Sequence, residues 1–241
     1  MRIDILTLFP EMIEPVLGSS ILGRAAAKGI VEFVLHNIRD YADNKHKTVD
    51  DYPFGGGAGM VMQIQPIVDC MTAAMGSRKP HVVYLSPRGK VLTSAKAKDL
   101  SKKGDLLLLC GHYEGIDERV YEWIDEEISI GDYVLTGGEL PAMVLIDAVS
   151  RFIPGTISDG SMAEESFSGD GLLEYPQYTR PAEYMGAGVP DVLLSGHHAN
   201  ILAWKRQQSL LVTAKHRPDL LTKADLSPDD IAFLEQNEIK F

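Results

Sequence analysis

His81-Val82-Val83-Tyr84-Leu85-Ser86-Pro87-Arg88-Gly89, the lysine-rich stretch from Thr93 to Lys103, and Asp105-Leu106-Leu107-Leu108-Leu109-Cys110-Gly111 together decide the architecture. His81 to Leu85 and Asp105 to Cys110 are short apolar runs of strand length. The segment between them has the length of a helix and stops at Gly104, a residue suited to a helix C-terminus. Strand, helix and a second strand with no polar position after Asp105 describe a crossover unit whose strands run parallel and are buried on both faces.

The alternation continues in both directions. Ile3 to Leu8 is predicted as a strand, followed by a turn at Pro10 and helical stretches at Glu11–Leu17 and Ile21–Lys28, the second ending at Gly29. Ile30 to Leu35 is a further strand, and Ile64, Ile67, Val68 and Met71 give helical spacing over Ile64–Met75. Beyond Cys110 come a short helix at Asp117–Ile124, a strand at Glu127–Ile130 and a helix at Glu139–Phe152. The expected class is α/β with a mostly parallel sheet. After Pro154 the pattern changes. Residues 155–171 are rich in Gly, Ser, Asp and Glu, as in a linker or mobile loop, and the remainder is mainly helical. His197–Ala214 is the longest helical pattern, and Ser227-Pro228-Asp229-Asp230 is a helix start. The expected division is residues 1–157, a flexible linker over 158–171, and a small helical domain over 172–241.

The chain has 241 residues, of which 45% are hydrophobic and 24% charged, enough apolar content for a packed core and too much for disorder. Cys70 and Cys110 have no metal-ligand spacing and sit among apolar neighbours, as reduced core cysteines of a cytoplasmic protein do. Arg2, Asp4 and Pro10 do not fit a signal peptide, and the longest apolar run, Leu106 to Cys110, is too short to span a membrane.

Three predicted strands end in loops of one character: Ser86-Pro87-Arg88-Gly89, Gly111-His112-Tyr113-Glu114-Gly115, and Ile130-Gly131-Asp132-Tyr133-Val134-Leu135-Thr136-Gly137-Gly138. In open α/β sheets ligands bind beyond the carboxyl ends of the strands, and glycines there admit close backbone approach. The same glycines also serve simple turns, so no single loop decides the matter. A fourth cluster, Phe54-Gly55-Gly56-Gly57-Ala58-Gly59-Met60, closes the long polar stretch Arg39–Asp51 and lacks the lysine of a phosphate-binding loop. The chain contains no serine-hydrolase elbow and no zinc-protease motif. His197-His198 fits a solvated helix start, and no metal site is expected.

These loops, with Arg151-Phe152-Ile153-Pro154-Gly155, Tyr178-Thr179-Arg180-Pro181 and Leu194-Ser195-Gly196-His197-His198, resemble the bacterial tRNA (guanine-N1)-methyltransferases essentially from end to end. The resemblance implies a deep trefoil knot of the SPOUT type in the sheet domain and a homodimer whose active sites are shared between subunits. It also implies S-adenosylmethionine as methyl donor, help from Mg2+, and methylation at N1 of the guanosine immediately 3′ of the anticodon. By position it implies a donor pocket of Tyr84, Leu85, Ser86, Pro87, Gly111, Glu114, Gly115, Ile130, Gly131, Asp132, Tyr133, Val134, Leu135, Gly137, Gly138 and Pro141. A knotted methyltransferase acting on another RNA position, and a non-catalytic RNA-binding relative, are the alternatives. The match at Thr179-Arg180-Pro181 argues against the first, and the retained Arg151 and donor pocket against the second.

The chemistry asks for two groups. N1 of guanine carries a proton at neutral pH, and its removal puts negative charge largely on O6, so a general base and a cation are needed. Arg151 matches the family's arginine and is assigned to O6. The family's linker aspartate aligns with Glu165 in Ala163-Glu164-Glu165-Ser166-Phe167, which makes Glu165 the expected base and Glu164 and Asp170 its rivals. Tyr52 and Ala58 also depart from the family pattern, where Arg and Pro are common.

A net charge of −11 runs against RNA binding in general. Binding needs only local positive charge. The candidates are Lys45-His46-Lys47, Arg180, Lys205, Arg206, Lys215-His216 and Arg217. The acid-free helix carrying Lys205 and Arg206 is the foremost of these.

Overall fold

The computed structural model describes residues 1–157 and 164–239. They form two compact units, Met1–Ile157 and Ser158–Phe241.

The first unit runs β1 (Arg2–Thr7), α1 (Pro10–Leu17), α2 (Ser20–Ala27), β2 (Glu32–Asn37), a 3₁₀ turn (Ile38–Tyr41), β3 (Asp50–Asp51) and β4 (Val61–Met62). It continues with α3 (Ile64–Met75), β5 (His81–Val91), α4 (Ser94–Leu100), β6 (Leu106–Cys110), a 3₁₀ turn (Glu118–Trp123), β7 (Glu126–Ser129) and α5 (Glu139–Ser150). Five strands form one sheet in the order β2-β1-β6-β5-β7, every pair parallel. Alternate residues feed two apolar layers. Ile3, Ile5, Leu106 and Leu108 pack with residues of α1, α2, α4 and α5, whereas Leu6, Leu107 and Leu109 pack with α3 and both 3₁₀ turns. The order brings the carboxyl ends of β6, β5 and β7 side by side.

Most expected elements are present within two residues of their predicted ends. β5 is longer than expected and runs to Val91, but its register with β7 slips: Ile128 faces both Leu85 and Lys90, so 86–89 stand out of the ladder. The ribbon β3–β4 escapes sequence reading because each strand has two residues. The turn that leads into it is held by Asn44, whose Oδ1 accepts from the backbone N–H groups of His46 and Thr48.

One charge lies inside the sheet. Asp4 has no exposed side-chain surface and is met by Arg2 at 2.9 Å, Arg78 at 2.9 Å and His36 at 2.8 Å. Burial alone would raise its carboxyl, but hydrogen bonds from His36, Arg2 and Arg78 outweigh it and hold the group well below the usual carboxylate range.

In the second unit, residues 164–171 form a turn held by Phe167 N–H to Leu172 O (2.9 Å), Gly171 N–H to Ser168 O (2.8 Å) and Glu174 N–H to Ser166 Oγ (2.9 Å). The remainder of the expected linker, 158–163, lies outside the described residues. A two-residue hairpin, β8 (Glu183–Tyr184) and β9 (Ala187–Gly188), precedes α6 (Asp191–Leu194), α7 (His198–His216), α8 (Pro218–Leu221) and α9 (Pro228–Gln236). Leu172, Leu210, Leu221 and Leu234 make the core. α9 starts with a reciprocal cap between Ser227 and Asp230, as the sequence predicts.

Asp4→Asn is expected to cost about 3–5 kcal/mol, because it removes the charged partner of Arg2 and Arg78 at a buried position. The folded-state carboxyl is depressed, so its contribution is full above about pH 4 and fades as pH falls below that value. Urea denaturation of both proteins should therefore show a gap at pH 7 that narrows in acid.

Candidate active site

The ends of β5, β6 and β7 enclose a cavity of about 450 Å³. The bulge 85–88, the loop 111–116 and the segment 128–138 line it, with Pro141 closing one side. These loops touch through their backbones. Gly138 N–H donates to Gly111 O at 2.8 Å, and His112 pairs with Gly137 as an isolated antiparallel bridge. A Cβ at Gly138 would stand 2.7 Å from Cys110 Cα and 2.9 Å from Gly111 N, so only glycine permits this approach.

One wall is aromatic and charged. The rings of Tyr84 and Tyr121 meet edge-on at 5.7 Å, and Arg88 lies over the Tyr121 ring at 4.8 Å. Tyr121 donates to Glu127 at 2.8 Å and Arg88 pairs with Glu118 at 3.1 Å. Burial and the nearby Glu127 push the Tyr84 hydroxyl up to about 12, so it is a hydrogen-bond group and not a base at neutral pH. Cys110 is wholly buried beneath the cavity, and burial drives its thiol well above the ordinary range, which excludes a thiolate nucleophile.

The glycine cluster belongs to the rim. Glu114 N–H donates to Met60 O at 3.0 Å, Met62 N–H to Gly115 O at 2.9 Å, and Asp117 N–H to Met62 O at 3.0 Å. Gly59 lies against the Glu114 side chain. Phe54 and Tyr52 are strongly exposed on this segment.

The structure brings together Tyr84, Leu85, Ser86, Pro87, Gly111, Glu114, Gly115, Ile130, Gly131, Tyr133, Val134, Leu135, Gly137, Gly138 and Pro141 around the cavity. Asp132 is not on its wall. The turn closed by Tyr133 N–H to Gly131 O leaves Asp132 exposed to solvent. Arg88, His112, Tyr113, Ile116, Glu118, Tyr121, Ile128, Ser129 and Thr136 also line the cavity without having been expected. Most of them lie inside the recognisable loops, where their neighbours were the signal. Glu118 and Tyr121 come from the 3₁₀ turn, and Tyr121 carries no such mark.

Arg151 caps the C-terminus of α5 and is half-buried, its N–H on Asp147 O at 3.3 Å. Glu165 lies half-buried in the 164–171 turn of the second unit, its carbonyl accepting from Ser168 N–H at 3.1 Å. The carboxylates of its two rivals serve the second unit itself. Glu164 accepts from Lys205 at 2.7 Å and from Tyr175, and Lys205 with Tyr175 holds its carboxyl below the usual range. Asp170 is paired with Arg206. Arg206 also grips Asp230 at 2.9 and 2.8 Å, which helps lower that carboxyl to about 2. Arg206 thus clamps the α9 cap while keeping part of its side chain exposed. Arg180 and Lys215 are exposed, and Arg217 is exposed but paired with Asp219 at 2.7 Å.

A parallel α/β sheet whose strand ends hold a glycine-built cavity defines a protein that binds a small nucleotide-like ligand. The sequence narrows this to one family. Residues 1–223 match the family model described as tRNA (Guanine-1)-methyltransferase TrmD. Proteins named tRNA (guanine-N(1)-)-methyltransferase are similar throughout. The one from Ruminiclostridium cellulolyticum is 63% identical over 92% of this chain and 97% of its own length. The one from Geotalea uraniireducens is 57% identical over 98% and 96%, and that from Clostridium novyi 56% over 98% and 97%. The chain belongs to the tRNA (guanine-1)-methyltransferase family.

Gly138→Ala is expected to lose about 1–3 kcal/mol of stability through forced separation of the β6 and α5 loops. Chemical denaturation measures it. Wild-type stability would mean that the backbone there yields freely.

Proposed function

We propose that this chain transfers a methyl group from S-adenosylmethionine to N1 of the guanosine immediately 3′ of the anticodon in tRNA. The observation that carries the reading is the cavity's make-up within a chain of this family. Leu85, Ile128, Ile130, Leu135 and Pro141 offer apolar walls to a flat purine. Arg88 is matched by Glu118, which leaves the Glu114 carboxylate to face a cationic ligand. A sulfonium fits that balance. When bound, it supplies an electrophilic methyl group.

The chain's own residues prepare the nucleophile. Glu165 takes the N1 proton as the new N1–methyl bond forms, and Arg151 stabilises the charge that develops on O6. The alignment of Glu165 with the family's linker aspartate supports that role. The Glu164 carboxyl, held low by Lys205, is a poorer base. RNA contacts are assigned to Arg180, Lys205, Lys215 and Arg217 in the second unit, with Lys45 and Lys47 in the first. Help from Mg2+, which the family resemblance implies, belongs to the same reading.

The knotted topology and a division into catalytic domain, linker and RNA-binding domain belong to the same reading, as does a cytoplasmic location beside the tRNA pool. No helix among the described residues is long and apolar enough to cross a membrane. A second copy completes the enzyme. α5 buries one side on the sheet yet carries Leu140 and Val144 on the other, beside the exposed Met12 and Val16 of α1. Exposed apolar side chains on two neighbouring helices fit an interface that a partner subunit would cover.

Methyl transfer to unmodified tRNA transcripts tests the function. N1-methylguanosine mapped to that one position, with transfer to N1 kept when inosine stands there and lost with adenosine, is the expected result. Transfer elsewhere in the RNA would replace the substrate assignment, and no transfer with the donor bound would end the enzymatic one. In single turnover, Glu165→Gln should fall about 10²–10⁴-fold, the usual share of a general base. A rate like that of the unaltered protein would remove Glu165 from this role. Leu140→Glu with Val144→Glu should convert a dimer to an inactive monomer by sedimentation. A dimer surviving both changes would place the interface elsewhere.

A further inference from the structure

Glu139, the first residue of α5, has a side chain only 3% exposed and no lysine or arginine partner among the described residues. Its Oε1 accepts from Thr7 Oγ1 at 2.8 Å, and Thr7 Oγ1 in turn accepts from Phe9 N–H at 2.9 Å. The other oxygen, Oε2, points at His112 Nδ1 from 4.0 Å. That nitrogen is itself buried and has no hydrogen-bond partner. Phe9 backs the imidazole ring at 5.0 Å, and His112 lines the cavity. Gly137 sits against both groups: a Cβ there would be 2.4 Å from Glu139 Oε2 and 2.6 Å from His112 Nδ1. Glu139 Oε2 and the buried His112 Nδ1 thus stand about 1 Å beyond hydrogen-bond reach of each other. The ring nitrogen lacks a partner that the carboxyl can be.

We infer that Glu139 is a positioning residue for the methyl donor: it binds Nδ1–H of His112 and so turns Nε2 of the ring, as an acceptor, toward the cavity. This rests on the proposed function, because the ligand must offer an N–H group. S-adenosylmethionine offers two kinds, its ammonium and its adenine amine. A carboxylate selects the Nδ1–H form of a facing imidazole, since the other tautomer would set a lone pair against its oxygen. The small closure needed accompanies donor binding and draws the 110–115 loop onto α5. Gly137 keeps the space for it, and Thr7 keeps Glu139 from turning away.

Glu139→Gln tests this, because it preserves shape and the Thr7 contact but can offer an amide N–H to Nδ1 and reverse the tautomer. The expected result is about ten- to a hundredfold weaker binding of S-adenosylmethionine by calorimetry, the usual scale for a residue acting through another. The melting temperature should hold within about 2 °C. Two-bond 15N–1H spectra of the seven histidines, with His112 assigned by its loss in His112→Asn, should show Nδ1–H in the donor complex of the unaltered protein and Nε2–H in that of Glu139→Gln. Unchanged affinity in Glu139→Gln, or Nε2–H in the unaltered complex, overturns the inference. If Glu139→Gln does not fold, His112→Asn decides. It keeps a donor toward Glu139 and loses the Nε2 acceptor, so wild-type affinity there overturns the inference and a matching loss supports it. Failure of the unaltered protein to bind S-adenosylmethionine at all overturns the proposed function, and this inference with it.

Discussion

Leu106 to Leu109 have no exposed surface, and each position at the cavity is inherited from that burial. β6 lies between β1 and β5 with both faces covered, so its four leucines are held by two apolar layers and two hydrogen-bonded ladders. At about 1.5–3 kcal/mol for each buried leucine, this short strand is among the strongest anchors in the unit. Its register fixes the residues beyond it. Cys110 ends the strand directly under the cavity, Gly111 begins the loop, and Gly138 can approach because neither glycine carries bulk at the point of contact. A slip of one residue in β6 would exchange the two layers and carry His112 and Glu114 to the wrong side.

Two buried carboxylates in this unit are treated in opposite ways. Asp4 is surrounded by two arginines and a histidine at hydrogen-bond distance, away from the cavity end of its strand. Such a group is fixed. Glu139 has one hydroxyl and a histidine just out of reach, at the cavity end of the same sheet. The first arrangement closes an interior; the second keeps a choice of partner open next to a ligand. The difference matches where each lies along the strands, since parallel sheets gather their binding functions at the carboxyl ends.

The order of strands and helices was legible because it depends on local properties. Leu106–Cys110 has the length and monotony of a doubly covered strand, and the spacing of Ile64, Ile67, Val68 and Met71 fits one helical face. The cavity loops were legible because glycine and proline cluster only where chain direction changes. What escaped depends on distant partners. The slip at Leu85/Lys90 is set by β7, and Tyr121 reaches the cavity because Glu127 and Tyr84 hold it there. The Arg206 clamp is set by Asp170 and Asp230, which lie far from it in sequence. Asp132 was counted with its neighbours, but a tight turn faces it outward.

The stitching of Met60 and Met62 to residues 114–117 gives the glycine cluster a mechanical role. Three backbone hydrogen bonds join a segment with four left-handed glycines to the cavity rim. Glycine makes the segment pliant, while the bonds make its far end rigid with the rim. Motion at exposed Phe54 is therefore taken up in the glycines before it reaches Glu114, and the rim keeps its shape. Met62, Glu114 and Asp117, tied by their backbone hydrogen bonds, make one cooperative unit there.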